Sequence, residues 1–462
     1  MRNQHNAAYI LAITSVATLG GLLFGYDTAV ISGAEKSIQE YLIKPLNLST
    51  LIHGATVSSA LIGCIIGSAL SGWFSTSFGR KRSLQIAACL FFLSALGSAY
   101  PEFLFFKRGE PSVSLLSAFN IYRIAGGIGV GLASAITPMY ISEISPPGIR
   151  GRLVSFNQFA IIFGMLVVYF VNWGIAKGQS IEWINDTGWR HMFASEAIPA
   201  LLFGLLLFFV PETPRYLAMI HKDKNALAVL TRINGYNKAK EILTDIKETL
   251  SAGKTKAKLL YYGKKVIIIG ILLSVFQQFV GINVVLYYAP RIFESMGAAK
   301  DASLLQTIVM GFVNVVFTVI AILTVDKWGR KPLLIIGSIG MAMGMFAIAC
   351  QSYFEIIGVG TLIFIIIYTA SFMMSWGPVC WVLISEIFPN TIRGKAVAVA
   401  VMSQWAANYI ISSTYPGMME FSGVLTYSFY GLMSVLSAIF VWKMLPETKG
   451  KTLEDMDKLW LK

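Results

Sequence analysis

An all-α membrane protein of twelve spans, arranged as two related six-helix bundles, is the fold class this sequence predicts. Three observations predict it. Hydrophobic residues make up 55% of the 462 and charged residues only 13%, too little polar surface for a soluble domain of this size. Apolar stretches of about twenty residues, each long enough as a helix to cross a ~30 Å hydrocarbon core, recur along the chain. Three short motifs of the first half also return in the second. Gly and Pro inside the stretches, in place of ten-residue alternation, favour helices over a closed barrel.

The first six stretches lie near 8–34, 52–76, 84–100, 114–142, 153–176 and 191–211. The first is far longer than a signal-peptide core and no small-residue cleavage pattern closes it, so it is expected to stay as an anchor. Residues 1–211 are thus expected to form one six-helix bundle. The segment 212–264 is too basic to enter the bilayer, and its weakly amphipathic pattern from Ala226 to Leu250 predicts short linking helices. Stretches near 266–290, 303–325, 332–352, 356–385, 396–416 and 424–445 make the second bundle, 265–446, with 447–462 as a tail. The repeat is sharp: Ser142-Glu143-Ile144 with Pro146 and Ile149-Arg150-Gly151-Arg152 recurs 243 residues later as Ser385-Glu386-Ile387 with Pro389 and Ile392-Arg393-Gly394-Lys395. Gly79-Arg80-Lys81 returns as Gly329-Arg330-Lys331, and Pro211-Glu212-Thr213 as Pro446-Glu447-Thr448.

Charge sets the expected orientation. Placing every second loop and both termini on one side collects 28 of the 37 basic residues there, which predicts that side, and both termini, to be cytoplasmic. This asymmetry accounts for the net charge of +13 without a nucleic-acid partner, for which no base-reading motif exists. Cys64, Cys89, Cys350 and Cys380 sit in apolar runs at no metal-like spacing and are expected to be buried free thiols. The four histidines have no ligand or triad spacing, so no metal site, cofactor or catalytic centre is expected.

Asp27 is the only charge between Asn6 and Ala34. A carboxylate at membrane depth costs about 2.5–3.5 kcal/mol to insert, so it has a function or a partner. Counting 1.5 Å per residue from the nearest boundary puts Asp27 and Glu196 each about 10 Å deep, with Arg123 near the same layer. An Asp beside Arg is held ionised and one without it is not, so a pairing that forms and breaks would bind and release a proton. Asp27, Arg123 and Glu196 are therefore the proton-coupling candidates, against the alternative of a static ion pair.

Amides and aromatic rings at the same depth suit a neutral polyhydroxylated ligand: amides give donors and acceptors to hydroxyls, and rings pack on C–H faces. Gln277, Gln278, Asn283 and Tyr287 fall within three turns of the seventh stretch, Asn283 and Tyr287 on one face. Gln158, Asn314, Trp381 and the pair Gln404 and Asn408 add groups from other stretches. At the cytoplasmic ends, Glu143 with Arg80 or Arg150, and Glu386 with Arg330 or Arg393, are candidate gate pairs expected to break on inward opening. The bland alternative is that they only solvate helix ends.

Gly20-Gly21-Leu22-Leu23-Phe24-Gly25-Tyr26-Asp27-Thr28, Pro211-Glu212-Thr213-Pro214-Arg215, Gln277-Gln278 with Gly281-Ile282-Asn283, Gly377-Pro378-Val379-Cys380-Trp381 and Pro446-Glu447-Thr448-Lys449-Gly450 resemble the sugar porter family of the major facilitator superfamily over the whole chain. The resemblance implies a monomeric importer of D-xylose or a related aldopyranose, driven by proton symport, with Asp27 as proton acceptor. It implies a sugar site lined by Gln158, Gln277, Gln278, Asn283, Trp381 and Gln404, with Phe24, Met165, Gly377 and Trp405 completing the candidate set. Met165 departs from the pattern: a related transporter of the family carries Gln there, while glucose facilitators carry an aliphatic residue. Thr76 stands where the superfamily's loop motif usually has Asp. A passive facilitator would share every sugar contact, and a sugar-sensing receptor remains the rival of another class.

Overall fold

Asn6 opens the first helix, its side chain accepting the Tyr9 N–H at 3.1 Å, and α1 runs Ala7–Ile38. The computed structural model describes residues 6–103, 106–146, 149–252, 259–295, 300–356, 358, 360–389, 392–449 and 460. The expected tail beyond Lys449, apart from Trp460, and linker residues 253–258 lie outside them. In the first half α2 comes in two pieces, Thr50–Val57 and Ser59–Ser77, followed by α3 (Arg80–Ala99), α4 (Val113–Ile144) and α5 (Arg150–Ala176). Then α6 comes as Trp189–Ser195 and Ala197–Leu206. The linker supplies α7 (Pro214–Met219), α8 (Asp223–Asn234) and α9 (Tyr236–Ala252).

In the second half α10 is broken into Lys264–Phe279, Ile282–Tyr287 and Ala289–Ser295, and α11 (Lys300–Trp328) and α12 (Arg330–Tyr353) follow. The chain continues through α13, as Thr361–Met374 and Trp376–Glu386, then α14 (Arg393–Phe421) and α15 (Gly423–Met444).

Among the described residues ten helices are long and apolar enough to cross a membrane. The other two of the twelve expected spans fail that test for visible reasons. Pro199 has no N–H for the Ser195 carbonyl, and α6 is interrupted there. The 29-residue α14 is long enough but carries Gln404, Asn408 and Ser412 on a buried face. Two other breaks have equally local causes. Pro378 withholds a donor from Met374, where α13 breaks, and Gly281 adopts φ 93° between the first two pieces of α10.

Within the first half, helices touch backbone to backbone. A Cβ on Gly127 of α4 would lie 1.8 Å from the Ala60 carbonyl of α2, and one on Gly25 of α1 would lie 1.8 Å from the Ile161 carbonyl of α5. Gly63 and Gly67 face Gly127 and Gly131, four residues apart on each helix, the small-residue spacing that lets membrane helices approach closely. Gly127→Ala is therefore expected to lower stability by about 3 kcal/mol or more, whereas Gly174→Ala, with nothing within 4 Å, stays within about 0.5 kcal/mol. Thermal unfolding of the two variants in detergent checks this. Equal melting would disprove the close crossing.

The halves meet along α1 with α10, α2 with α14 and α5 with α11. Among the described residues, the polar contacts that join them lie at the ends opposite the chain termini. These are Lys36–Glu294 at 2.5 Å, Arg291 with Glu35 at 2.6 Å and Gln39 at 3.3 Å, and Thr50–Glu420 at 2.7 Å. The molecule is thus shut on that face.

Candidate functional site

Midway along the interface of the halves, side chains from both enclose a cavity of about 80 Å³. Of the candidates, Phe24, Gln158, Met165, Gln277, Gln278, Asn283, Tyr287, Gly377, Trp381, Gln404 and Trp405 line it. The break at Gly281 puts Gln277 and Gln278 on one piece of α10 and Asn283 on the next, so a discontinuous helix faces the cavity from both sides of its gap. Gln277 Oε1 accepts from Gln278 and from Gln404 Nε2, the latter at 2.8 Å, and Asn283 Nδ2 donates to Gln278 Oε1 at 2.5 Å. Asn408 Nδ2 donates to the Tyr287 hydroxyl at 3.4 Å. Phe24 and Trp405 bring rings from opposite halves to 5.6 Å.

Ligand pockets commonly measure about 300–1,000 Å³. The cavity as it stands is far smaller, because its amides bond one another.

One expectation fails. Asn314 does not reach the cavity lining; it is buried in α11 with neither amide atom hydrogen-bonded. Three residues before it on the same helix, Gly311 packs against Leu166 and Tyr169 of α5. Sequence reasoning passed over Thr28, Ile161, Ile162, Phe372 and Met373, which also line the cavity. Thr28 follows Asp27 directly and was the legible one.

The charged layer forms as depth counting expects. Arg123 Nη1 donates to Asp27 Oδ1 at 2.7 Å and Nη2 to the Asp27 carbonyl at 3.3 Å, with both side chains buried. Glu196, at the α6 interruption, is buried within electrostatic reach of both and within side-chain hydrogen-bond reach of Asp27. Phe193 lies under the guanidinium at 5.2 Å. Asp27 sits on α1 between Phe24 and Thr28, so the charged layer and the cavity share one helix turn. Tyr287 lies on the cavity side within electrostatic reach of Asp27 and Arg123.

The repeated motifs build two matching clusters at the face that carries the termini. Gly79 (φ 88°) and Gly329 (φ 90°) precede α3 and α12, and a Cβ there would press on Glu212 and Glu447. Each glutamate instead caps a helix start: Glu212 accepts the Arg80 and Lys81 N–H groups at 3.1 Å, and Glu447 those of Arg330 and Lys331 at 3.1 and 2.9 Å. Thr213 and Thr448 each donate to Glu143 and Glu386 at 2.6 Å, and Arg80 and Arg330 reach the same carboxylates at 2.8 and 2.9 Å. Burial pushes the Glu212 carboxyl up despite its N–H donors. Burial acts on Glu447 the same way, but four backbone N–H groups outweigh it and hold that carboxyl down.

Of the alternative gate pairings, the first of each set is the one formed. Glu143 pairs with Arg80, while Arg150 is exposed and, among the described residues, reaches the Ser145 carbonyl at 3.5 Å. Glu386 pairs with Arg330, and Arg393 reaches the Phe388 carbonyl. Each pair lies within one half and is intact while the opposite face is shut. These pairs tie together the helix ends on the face that carries the termini within each bundle and do not latch one bundle to the other.

All four cysteines are free, but burial holds for Cys64 and Cys380 alone; Cys89 and Cys350 are exposed, because an apolar run does not say which of its faces turns outward. The profile of a family described as "Sugar (and other) transporter" matches residues 13–460. The chain is 55% identical to the D-xylose-proton symporter of Escherichia coli strain K12, over 100% of this chain and 97% of that protein. It is 40% identical to the arabinose-proton symporter of Bacillus subtilis strain 168, over 99% and 97%. A solved structure of the Escherichia coli xylose transporter in an inward open conformation superposes with a TM-score of 0.89 at 54% identity, covering 98% of this chain and 100% of that one.

Proposed function

The chain belongs to the sugar transporter family, and we infer that it is a proton-coupled sugar importer working by alternating access, a transporter and not an enzyme. One observation supports the coupling most directly: the buried Asp27–Arg123 pair, with Glu196 beside it, lies on the same turn of α1 as the cavity residues Phe24 and Thr28. Two carboxylates and one guanidinium are neutral only with one proton bound, so the layer is a place for a single proton to reside. Sugar held by the amides draws α10 and α14 towards α1, and a shift of α1 changes the fit of Asp27 to Arg123. Protonation and sugar occupancy then favour the same change of shape, which is what symport requires.

The sugar is D-xylose or a related aldopyranose. The face with the basic loops and the termini is cytoplasmic, in a bacterial inner membrane, and the structure corresponds to the inward-facing member of the cycle, its outer face joined by contacts between the halves. Labelled D-xylose uptake into proteoliposomes, with and without an imposed proton gradient, tests the reading. Accumulation only with the gradient is expected. Saturable equilibration that ignores the gradient would make the protein a facilitator.

Met165 bears on which sugar is preferred. It lines the cavity one to two turns from Gln158 and Ile161, offering no hydrogen bond. Met165→Gln adds an amide worth about 0.5–1.5 kcal/mol to a hydroxyl it can reach. Xylose binding is expected to strengthen relative to glucose by roughly two- to tenfold. Calorimetric titration of both sugars into both proteins measures it; an unchanged ratio removes Met165 from selectivity.

A further inference from the structure

We propose that Glu35, His53 and Arg291 form a latch that holds the outer face shut, in which Glu35 is handed from Arg291 to His53 when the two halves part. Glu35 lies near the outer end of α1 and is 2% exposed. Its Oε1 accepts from Arg291 Nη1, on the last piece of α10, at 2.6 Å. The same oxygen is 3.3 Å from His53 Nε2, on the first piece of α2, and His53 is fully buried.

The three residues divide unequally between the halves. Glu35 and His53 belong to the first and stay together in any rigid-body movement; Arg291 belongs to the second and leaves. A buried carboxylate stripped of its guanidinium partner is strongly disfavoured. Here the imidazole stands ready, its Nδ1 buried without a hydrogen bond and its Nε2 facing Glu35. The N–H is therefore placed on Nε2, which now lies 3.4 Å from the Glu35 carbonyl and 3.3 Å from its carboxylate and turns wholly to the carboxylate when Arg291 leaves. Arg291 also faces Gln39 of the first half at 3.3 Å, and Tyr288 and Tyr415 of its own half.

Other contacts of the same face are weaker candidates. Lys36–Glu294 is short at 2.5 Å, but the lysine is 47% exposed, and such pairs contribute little. The backbone approach of Gly54 to the Ser413 carbonyl sets shape, and it has no alternative partner to exchange.

The latch presupposes the alternating-access reading, and one experiment separates the two. Nitroxide labels at Leu51→Cys and Phe421→Cys, exposed positions on α2 and α14, report the outer separation by pulsed electron spin resonance. Cys89 and Cys350, the exposed native thiols, are replaced by Ser. Two distances with sugar-dependent populations establish alternation. Arg291→Gln and Glu35→Gln are each expected to raise the outward-open to inward-open ratio about tenfold, the double variant no further than the larger single. Lys36→Ala is expected to change it less than twofold, and His53→Leu to shift it the other way by two- to threefold. Two distances with the ratio unmoved in Arg291→Gln and Glu35→Gln, or additive shifts in the double variant, overturn the latch alone. A shift of His53→Leu towards outward-open overturns the handover. A single distance in every condition overturns latch and alternation together.

Discussion

Asp27→Asn is expected to abolish accumulation of sugar against a gradient while leaving exchange of labelled for unlabelled sugar across the membrane. The magnitude follows from what one proton supplies. A charge crossing 100 mV gives ~2.3 kcal/mol and one pH unit ~1.4 kcal/mol, together enough for roughly 400-fold accumulation at one proton per sugar. Without a titrating carboxylate at position 27 the ratio falls to about one. Exchange survives because Asn keeps the size of Asp and an acceptor for Arg123 Nη1, now 2.7 Å from Asp27 Oδ1, and every sugar-facing residue is untouched. Counterflow and gradient-driven uptake in the same proteoliposomes decide it. Loss of both would make the pair a structural tie whose rupture spoils the fold, and retained accumulation would move coupling to Glu196.

The charged layer was legible before any coordinates because depth in a membrane is arithmetic: a helix rises 1.5 Å per residue, and charges at equal depth on neighbouring helices meet. The cavity was legible for a similar reason, since amides inside apolar stretches have few uses there. Asn314 shows where that argument stops. It has the right residue type and depth, yet it does not line this cavity and is buried in α11 with neither amide atom hydrogen-bonded, and type with depth alone does not say which amides face a cavity.

The terminal-face clusters divide the same way. Duplication singled out Arg80, Glu143, Arg330 and Glu386, yet spacing left Arg150 and Arg393 equally eligible. The choice is made by Glu212 and Glu447, which pin the starts of α3 and α12 and aim Arg80 and Arg330 inward. That capping needs Gly79 and Gly329 at positive φ, a backbone requirement visible only once the Pro-Glu-Thr segments are in place. The outer set of Glu35, His53 and Arg291 left no trace in the sequence, because its members lie on three separate helices and one of them belongs to the other half.

Gln277→Leu is expected to weaken sugar binding by about 100-fold. The side chain keeps its bulk, so the cavity wall holds its shape, but the amide at its centre is lost. Gln277 Oε1 accepts from both Gln278 and Gln404, and its own NH₂ is used by no other described group. Removal costs the sugar a direct donor, worth about 0.5–1.5 kcal/mol, and leaves neighbouring donors unmatched, at about 1–3 kcal/mol each when buried. Part of that second cost is already incurred in the empty protein, which leaves about 3 kcal/mol, or roughly 100-fold, on binding. Tryptophan fluorescence reads the titration, since Trp381 and Trp405 line the same cavity. Asn314→Ala, away from the lining, is expected to stay within threefold. A change of less than threefold for Gln277→Leu as well would mean that the amide network serves helix packing, and that the sugar is held by the rings and by Asn283, Asn408 and Gln158.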